Sequence, residues 1–378
     1  MQPTQRLNGN AVMAVSLELA DKSWKVALTD QQRAHPAVFK VDQAGLWDRL
    51  EALLQRLQEF KRRWKLPAHC HVLVLYEAGQ DGFWIARALQ ARDVQVVVID
   101  AASVPVPRHA RRAKTDRLDA LKLLGELQAW LRGERPELRV VHIPSEDAEA
   151  RRLLTRQRGL LQKEIGQHRD RMRKLLRTQG CKEEMDAGFV ERLMAGQVRR
   201  GDGRPIPEEL WRGLMHECER LELARRQFAE VEHTLLHQLP EPVQRCIALL
   251  AGLRGVGWVG AMRLVLELLW RDFSNRRQVG ACVGLVPQPY DSGDSHVDQG
   301  VSKQGNRRVR ALLVEMAWAW LKYQPGSALA QWFARRTSGN NKRGRRIAIV
   351  AVARRLAIDL WRYLREGIVP AGAVLKAP

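Results

Sequence analysis

Glu18, Glu77, Asp116 and Asp119 are the residues of this chain whose type and spacing best suit chemistry. Glu18 ends an apolar run expected to be a strand, and Glu77 ends the expected strand VLVLY. Asp116 and Asp119 stand three apart in AKTDRLDA at the expected start of a helix, where that spacing puts both on one face. Strand ends of an open sheet lie along one edge, where ligands bind. Four carboxylates meeting there would hold one or two Mg2+ ions through oxygen, as phosphoryl transfer requires. Each acid also has a plainer reading: Glu18 as a solvated strand end, and Asp116 with Asp119 as favourable charges at a helix N-terminus. Arg108, Arg111, Arg112 and Lys114 precede the pair and would guide a phosphate backbone toward it.

The stretch GLVPQPYDSGDSHVDQGVSKQGN carries a second set of reactive groups. Ser292, Ser295, Ser302 and Tyr290 are all candidate attackers, and residue type alone does not choose among them. A serine hydroxyl is weak until something accepts its proton, and His296 is near in sequence without an evident His/Asp triad. Pro287 and Pro289 would stiffen the approach to Ser292, Gly293 would permit a sharp turn, and Lys303, Arg307 and Arg308 would neutralise an attacked phosphate.

The elements that must position these groups follow from periodicity. Val12 to Leu19 and Trp24 to Leu28 predict the start of a β-hairpin. A helix near Gln43 to Lys65, a strand at Val72 to Tyr76, a helix near Gly82 to Ala91 and a buried strand at Val94 to Ile99 follow. This β-β-β-α-β-α-β order predicts a mixed sheet with helices on its faces over residues 1–144. Residues 145–240 read as helical. Leu161, Ile165, His168, Met172 and Leu175, and then Leu221, Ala224, Phe228, Val231 and Leu235, predict two arms of an antiparallel coiled coil joined around Gly201 to Pro207. His168 lies in that seam and is expected to be a packed core residue, not a metal ligand.

A mainly helical unit is expected over 241–378. Gly255-Val256-Gly257 resembles a helix-hairpin-helix turn, whose backbone N–H groups hold a DNA phosphate, and equally fits a tight turn between core helices. Val309, Leu312, Leu313, Met316 and Trp320 form one apolar stripe, with Arg307, Arg308 and Arg310 off it. Ile349, Ala353, Leu356, Leu360 and Leu364 form another beside Arg354, Arg355 and Arg362. Trp318, Trp320, Trp332 and Trp361 fit core packing better than stacking on bases.

The 63 Lys and Arg against 42 Asp and Glu give a net charge of +21, so a polyanion is the expected partner. Residues 301–378 hold 16 of the cations and 3 of the acids, which makes this last fifth the strongest candidate for a phosphate-binding surface. Gly255, Gly257, Lys303, Asn306, Arg307, Arg308 and Arg310 join the earlier basic run as nucleic-acid candidates. Five scattered cysteines without a CxxC pair argue against a disulfide framework or a zinc site. No signal peptide, membrane span or Walker loop is evident, so a cytoplasmic protein that uses no ATP is expected.

The order of Glu18, YEAGQDGFW, KTDRLDA and SKQGNRRVRALLVEMAW resembles the transposases of insertion sequence family 110, the bridge-RNA-guided recombinases. The resemblance covers nearly the whole chain. It implies a RuvC-like (RNase H-type) N-terminal domain with an acidic Asp-Glu-Asp-Asp tetrad, which falls here on Glu18, Glu77, Asp116 and Asp119, all of them Mg2+ ligands. Glutamate stands first where the family has aspartate, with Asp21 the fallback. The resemblance further implies a C-terminal transposase domain with Ser292 as the nucleophile that forms a phosphoserine. It also implies donor and target DNA as substrates, a structured guide RNA that chooses the sites, and a dimer or tetramer in which one subunit's serine meets another's carboxylates. A metal-dependent nuclease resolving four-way junctions by water attack, and a non-catalytic basic architectural protein, are the competing readings.

Overall fold

A computed structural model describes residues 11–104, 115–134, 138–292, 295–339 and 342–377, with 289–298 described by their backbone alone. The chain divides into two compact units, Met1–Ser145 and Glu146–Pro378.

In the first unit, β1 (Val12–Leu19), β2 (Trp24–Thr29) and β3 (Ala37–Val41) precede α1 (Leu46–Arg63). They are followed by β4 (His71–Glu77), α2 (Trp84–Gln90), β5 (Gln95–Ile99) and α3 (Asp116–Leu131). The five strands form one sheet in the order β3-β2-β1-β4-β5. β1 runs antiparallel to β2 and parallel to β4, and β4 runs parallel to β5. This is the mixed sheet that the alternation of the sequence predicts, and it is consistent with a RuvC-like domain.

Side chains alternate across the pleat and sort the sheet into two faces. Met13, Val15, Leu17, Val72, Val74 and Tyr76 pack with Leu50, Leu53 and Leu57 of α1 and with Ile85 and Leu89 of α2. Val12, Ala14, Leu73, Leu75, Val97 and Ile99 pack with Ala120, Leu123, Leu124 and Leu127 of α3. Ser16 also belongs to the α3 face. Fully buried, it donates its hydroxyl to the Ala120 carbonyl at 2.6 Å.

The second unit begins with α4 (Glu146–Arg177), α5 (Phe189–Met194) and α6 (Glu208–His237). α4 and α6 lie side by side and antiparallel. Arg158 bonds Glu232 at 2.6 Å near one end of the pair, and His168 meets Glu217 at 2.7 Å further along. Leu161, Met172, Leu221, Ala224, Val231 and Leu235 are buried, as their spacing predicts. Leu175 is not part of the seam: it is 37% exposed, and Leu176 takes the inner place at 1%. The i+4 step from Met172 keeps Leu176 on the buried stripe, where it joins Cys181, Met185 and Phe189.

His168 is buried, as expected, and is also tied by hydrogen bonds. Glu217 accepts from His168 and Arg171 on α4 and from Arg220 one turn along α6.

The remaining elements are α7 (Glu241–Ala251), α8 (Trp258–Leu264) running on as a π-helical turn (Val265–Leu269), and α9 (Arg276–Cys282). The hairpin β6 (Pro287–Ser292) and β7 (Ser295–Val301) follows, then α10 (Arg307–Tyr323), α11 (Ala328–Thr337) and α12 (Lys342–Glu366). One core joins the bases of α4 and α6 to Leu250, Met262, Leu313, Trp320, Val352 and Leu360. Trp320 is fully buried and donates to Ser327 Oγ at 2.9 Å and Trp361 is 9% exposed, as expected of core residues, whereas Trp318, on the outer side of α10, is 41% exposed and not a core residue.

Burial opposes ionisation of Glu217, but the hydrogen bonds and charges of His168 and Arg171 outweigh it and hold the carboxyl below its ordinary value. Its contribution is therefore complete above pH 4.5 and is lost as pH falls through the lowered value. Glu217→Gln should destabilise the protein at neutral pH by about 1–3 kcal/mol, and the gap to wild type should shrink as the pH drops below that range. Urea unfolding over a pH series checks this, and a gap that stays constant with pH would assign the effect to packing.

Candidate active site

The parallel register of β1 and β4 aligns Leu17 with Tyr76. One residue further on, Glu18 and Glu77 stand at the same level on adjacent strands. By pleat alternation both belong to the face that carries Ser16, Leu75 and α3. α3 begins at this end of the sheet, because Thr115 caps it by accepting from the Leu118 N–H at 3.3 Å. Its first turn holds Asp116 and Asp119. The Ser16–Ala120 bond places the residue after Asp119 against β1, two residues before Glu18. Three elements of separate sequence thus bring all four predicted acids to one edge of one face.

Asp116 is exposed, while Glu18, Glu77 and Asp119 are half-buried. Among the described residues no three His, Cys, Asp or Glu side chains are gathered closely enough to hold a metal ion. The fit to a divalent cation therefore lies in donor type, face and register: oxygen ligands alone, on rigid elements, at an edge open to solvent. Asp21 is placed differently. It sits in the β1–β2 turn and accepts from Gln80 Nε2 at 2.6 Å, whereas Glu18 is the penultimate residue of β1.

Lys25 is a residue that the sequence reading did not single out. The antiparallel register sets it directly across from Glu18, on the same face. The signal was its place in β2, visible only once pairing is known. Arg108, Arg111, Arg112 and Lys114 lie outside the described residues.

In the second unit Ser292 is the last residue of β6 and pairs with Ser295, the first of β7. The segment that carries Ser292 is thus a β-hairpin, although Pro287 and Pro289 lie in its first strand. The pairing shifts register between Pro287 and Pro289, where proline has no N–H to give to a ladder.

The base of the hairpin is clamped. Ser302 N–H donates to the Val286 carbonyl at 2.9 Å, Lys303 N–H to Gly284 at 3.1 Å, and Asn306 N–H to Cys282 at 2.9 Å. Gly284 (φ 67°) and Gly305 (φ 96°) make this crossing possible. A Cβ at Gly284 would come within 1.8 Å of the Gln304 carbonyl, and one at Gly305 within 2.2 Å of the Cys282 carbonyl. GLVP and SKQGN are thus two sides of one clamp.

The nucleic-acid candidates divide by what they touch. Lys303 and Arg307 are exposed. Asn306 is the N-cap of α10, accepting from the N–H groups of Arg308 and Val309. Arg310 donates to the Val283 carbonyl at 3.1 Å and so braces the hairpin base. Arg308 reaches Glu267 at 3.4 Å. Glu267, 2% exposed in the π-helical turn, also accepts from Thr155 of α4 at 2.9 Å and from Asn306 at 3.3 Å. Its only sequence signal was one acid inside the apolar run LVLELL. Gly255 (φ 80°) lies close to Ala319 and Tyr323 of α10, and Gly257 is the exposed N-cap of α8.

Two substitutions test these placements. Ser16→Ala removes the buried bond that ties β1 to the Ala120 carbonyl and should cost about 0.5–1.5 kcal/mol of the first unit's stability. Gly305→Ala forces a Cβ into a carbonyl at positive φ and should cost at least about 2 kcal/mol in the second unit. Hydrogen exchange on the full chain should assign each loss to its own unit; global loosening by either would mean that the anchors are not local.

Two family profiles match the chain. One, a transposase profile of DEDD type for the IS110 group, covers residues 18–179, beginning at Glu18. The other, the Transposase IS116/IS110/IS902 family, covers 247–331 and so contains the clamp and the hairpin. The chain is 38% identical to the Sinorhizobium fredii protein named "Putative transposase y4rJ" over 96% of its own length and 94% of that protein's. It is 27% identical to the transposase for insertion sequence element IS1328 of Yersinia enterocolitica, over 62% of this chain and 69% of that one. No helix among the described residues is long and apolar enough to cross a membrane. A carboxylate-edged mixed sheet, a glycine-clamped hairpin and these matches together make the chain a member of the IS110 family of insertion-sequence transposases, enzymes of DNA cleavage and transfer.

Proposed function

We propose that this transposase is an RNA-guided recombinase that cuts and rejoins DNA through a covalent phosphoserine at Ser292. In this reading Mg2+ is held by Glu18, Glu77, Asp116 and Asp119. The observation that carries the metal half is the placement of the four acids at one edge: two level on adjacent parallel strands, two on the first turn of the helix covering that face. The serine half is supported by the position of Ser292 at the far end of a hairpin whose base is rigidly held.

The Ser292 oxygen attacks phosphorus, the bond from phosphorus to the deoxyribose oxygen breaks, and that oxygen leaves as a hydroxyl carrying the proton. Rejoining runs the same step backwards with a hydroxyl of the exchanged strand, so phosphodiester energy is conserved and no ATP is required. A bound divalent cation would supply Lewis-acid stabilisation of charge on the phosphoryl oxygens. Lys25, across from Glu18, is placed to hold the same phosphate, and Lys303 and Arg307 to hold the strand near the hairpin. The remaining basic surface serves the donor and target DNA and a structured guide RNA, which sets the sites by base pairing rather than by side chains. The active form is a dimer or tetramer in which a serine and a carboxylate set from different subunits meet on one phosphate.

A suicide DNA substrate should trap a detergent-stable protein–DNA adduct with the wild type and none with Ser292→Ala. Asp119→Ala should lower adduct formation by at least about 100-fold. Cleavage to free ends by Ser292→Ala would replace this reading with water attack at the carboxylates. RNA co-purified from the host element should carry loops complementary to both the element junction and its target; its absence would leave site choice to the protein.

A further inference from the structure

The edge that carries the carboxylates also carries three tryptophans that the transfer chemistry leaves unassigned. Trp24, fully buried, opens β2 opposite Leu19. Trp84 begins α2, after the loop that leaves Glu77. Trp47, in the first turn of α1, is 58% exposed. The rings form a ladder, with Trp84 centred 6.1 Å from Trp24 and 5.0 Å from Trp47. Trp84, half-buried and backed by the buried Trp24, holds the outer ring in place, and beside it Leu46 is 44% exposed.

Polar contacts fix the ladder to the carboxylate edge. Arg49, itself buried, donates to the Gln43 carbonyl at 2.7 Å and the Ala20 carbonyl at 3.4 Å, tying the start of α1 to the β1–β2 turn, and its guanidinium lies over Trp24. Gln80 joins the β4–α2 loop to Asp21 of the same turn. The tryptophans approach this edge from the α1/α2 face and the carboxylates from the α3 face.

We infer that Trp47, backed by Trp84, is a stacking platform for a DNA base unstacked beside the phosphate handled at the carboxylates. The inference rests on the proposed carboxylate site. An exposed indole held against a tilted neighbour, with 50° between the ring planes, offers the π surface that any base accepts without regard to sequence. Strand exchange supplies such a base, because a nucleotide next to a break loses a stacking neighbour. The surroundings favour nucleic acid over a second protein surface: Lys22 is exposed in the β1–β2 turn, Lys25 faces Glu18, and the chain carries +21 overall.

The test uses the full-length protein and gapped DNA duplexes with 2-aminopurine at successive positions from the cleaved phosphate. Wild type should quench the probe at one or two adjacent positions. Trp47→Ala should lose that quench and weaken binding of the gapped duplex about tenfold or more, while Trp47→Phe retains most of both. Its melting temperature should stay near wild type, since the ring is exposed. Asp119→Ala should quench normally without cleaving. Normal cleavage by Asp119→Ala would remove the carboxylate reading and leave the platform standing. The platform is overturned if Trp47→Ala binds gapped DNA within twofold of wild type, if Trp47→Phe fails as completely as Trp47→Ala, or if Trp47→Ala changes only the sedimentation of the protein.

Discussion

The hydrogen bond from Ser16 to the Ala120 carbonyl decides where the acidic turn of α3 lies. It is buried and joins positions 104 residues apart in the chain. Carboxylates repel one another, so nothing in their own chemistry gathers four at one edge without a cation. The backbone must impose the arrangement, and here it does so through β1–β4 register on one side and this bond on the other. The apolar contacts of Ala120, Leu123 and Leu124 with the sheet fix the rotation of α3, and with it the side on which Asp116 and Asp119 lie. The backbone brings the acids to one edge, and among the described residues their side chains are not drawn together into a ready cluster.

The second unit meets the same demand with different means. A hairpin end is a poor place for a group that must be positioned, because two strands alone are marginal. Gly284 and Gly305 answer this by letting two chain segments cross closer than side chains would permit, so the hairpin base is held between the ends of α9 and α10. Glu267 extends the support by linking Asn306 and Arg308 to Thr155 of α4. The long helix pair is therefore bonded to the start of α10, and movement along α4 would be felt at the base of the hairpin that carries Ser292.

Elements with a strong period were legible in the sequence. The strands that carry Glu18 and Glu77, and the stripes of α4 and α6, follow from alternation and from steps of three and four. What sequence did not yield depends on pairing between distant segments. Lys25 is one of several lysines until the β1–β2 register sets it opposite Glu18. That Glu18 lies within β1 while Asp21 lies in the turn beside Gln80 needs the strand's true end. Leu175 and Leu176 are equally apolar, and only the terminal turn of α4 against Met185 and Phe189 separates them. The prolines around Ser292 conceal its hairpin, because proline weakens a ladder in general and is tolerated here at the register shift.

Charge is the feature most easily over-read. The last fifth of the chain holds 16 Lys and Arg, yet many of them work inside the fold. Arg310 braces the hairpin base and Arg308 reaches Glu267. Arg355 lies over Trp332 at 4.1 Å, Arg365 donates to the Phe273 carbonyl at 2.6 Å, and Arg354 lies against Gly280. An arginine pinned to a carbonyl or a ring keeps its charge and still adds to long-range attraction, but it gives up reach and donors. Lys303, Arg307, Arg335, Arg343 and Arg346 are exposed, and in the proposed function they are the groups that would contact phosphate. The number of counterions released on binding follows the contacts made rather than the formal charge, so the salt dependence of binding measures this exposed subset and not the full basic content.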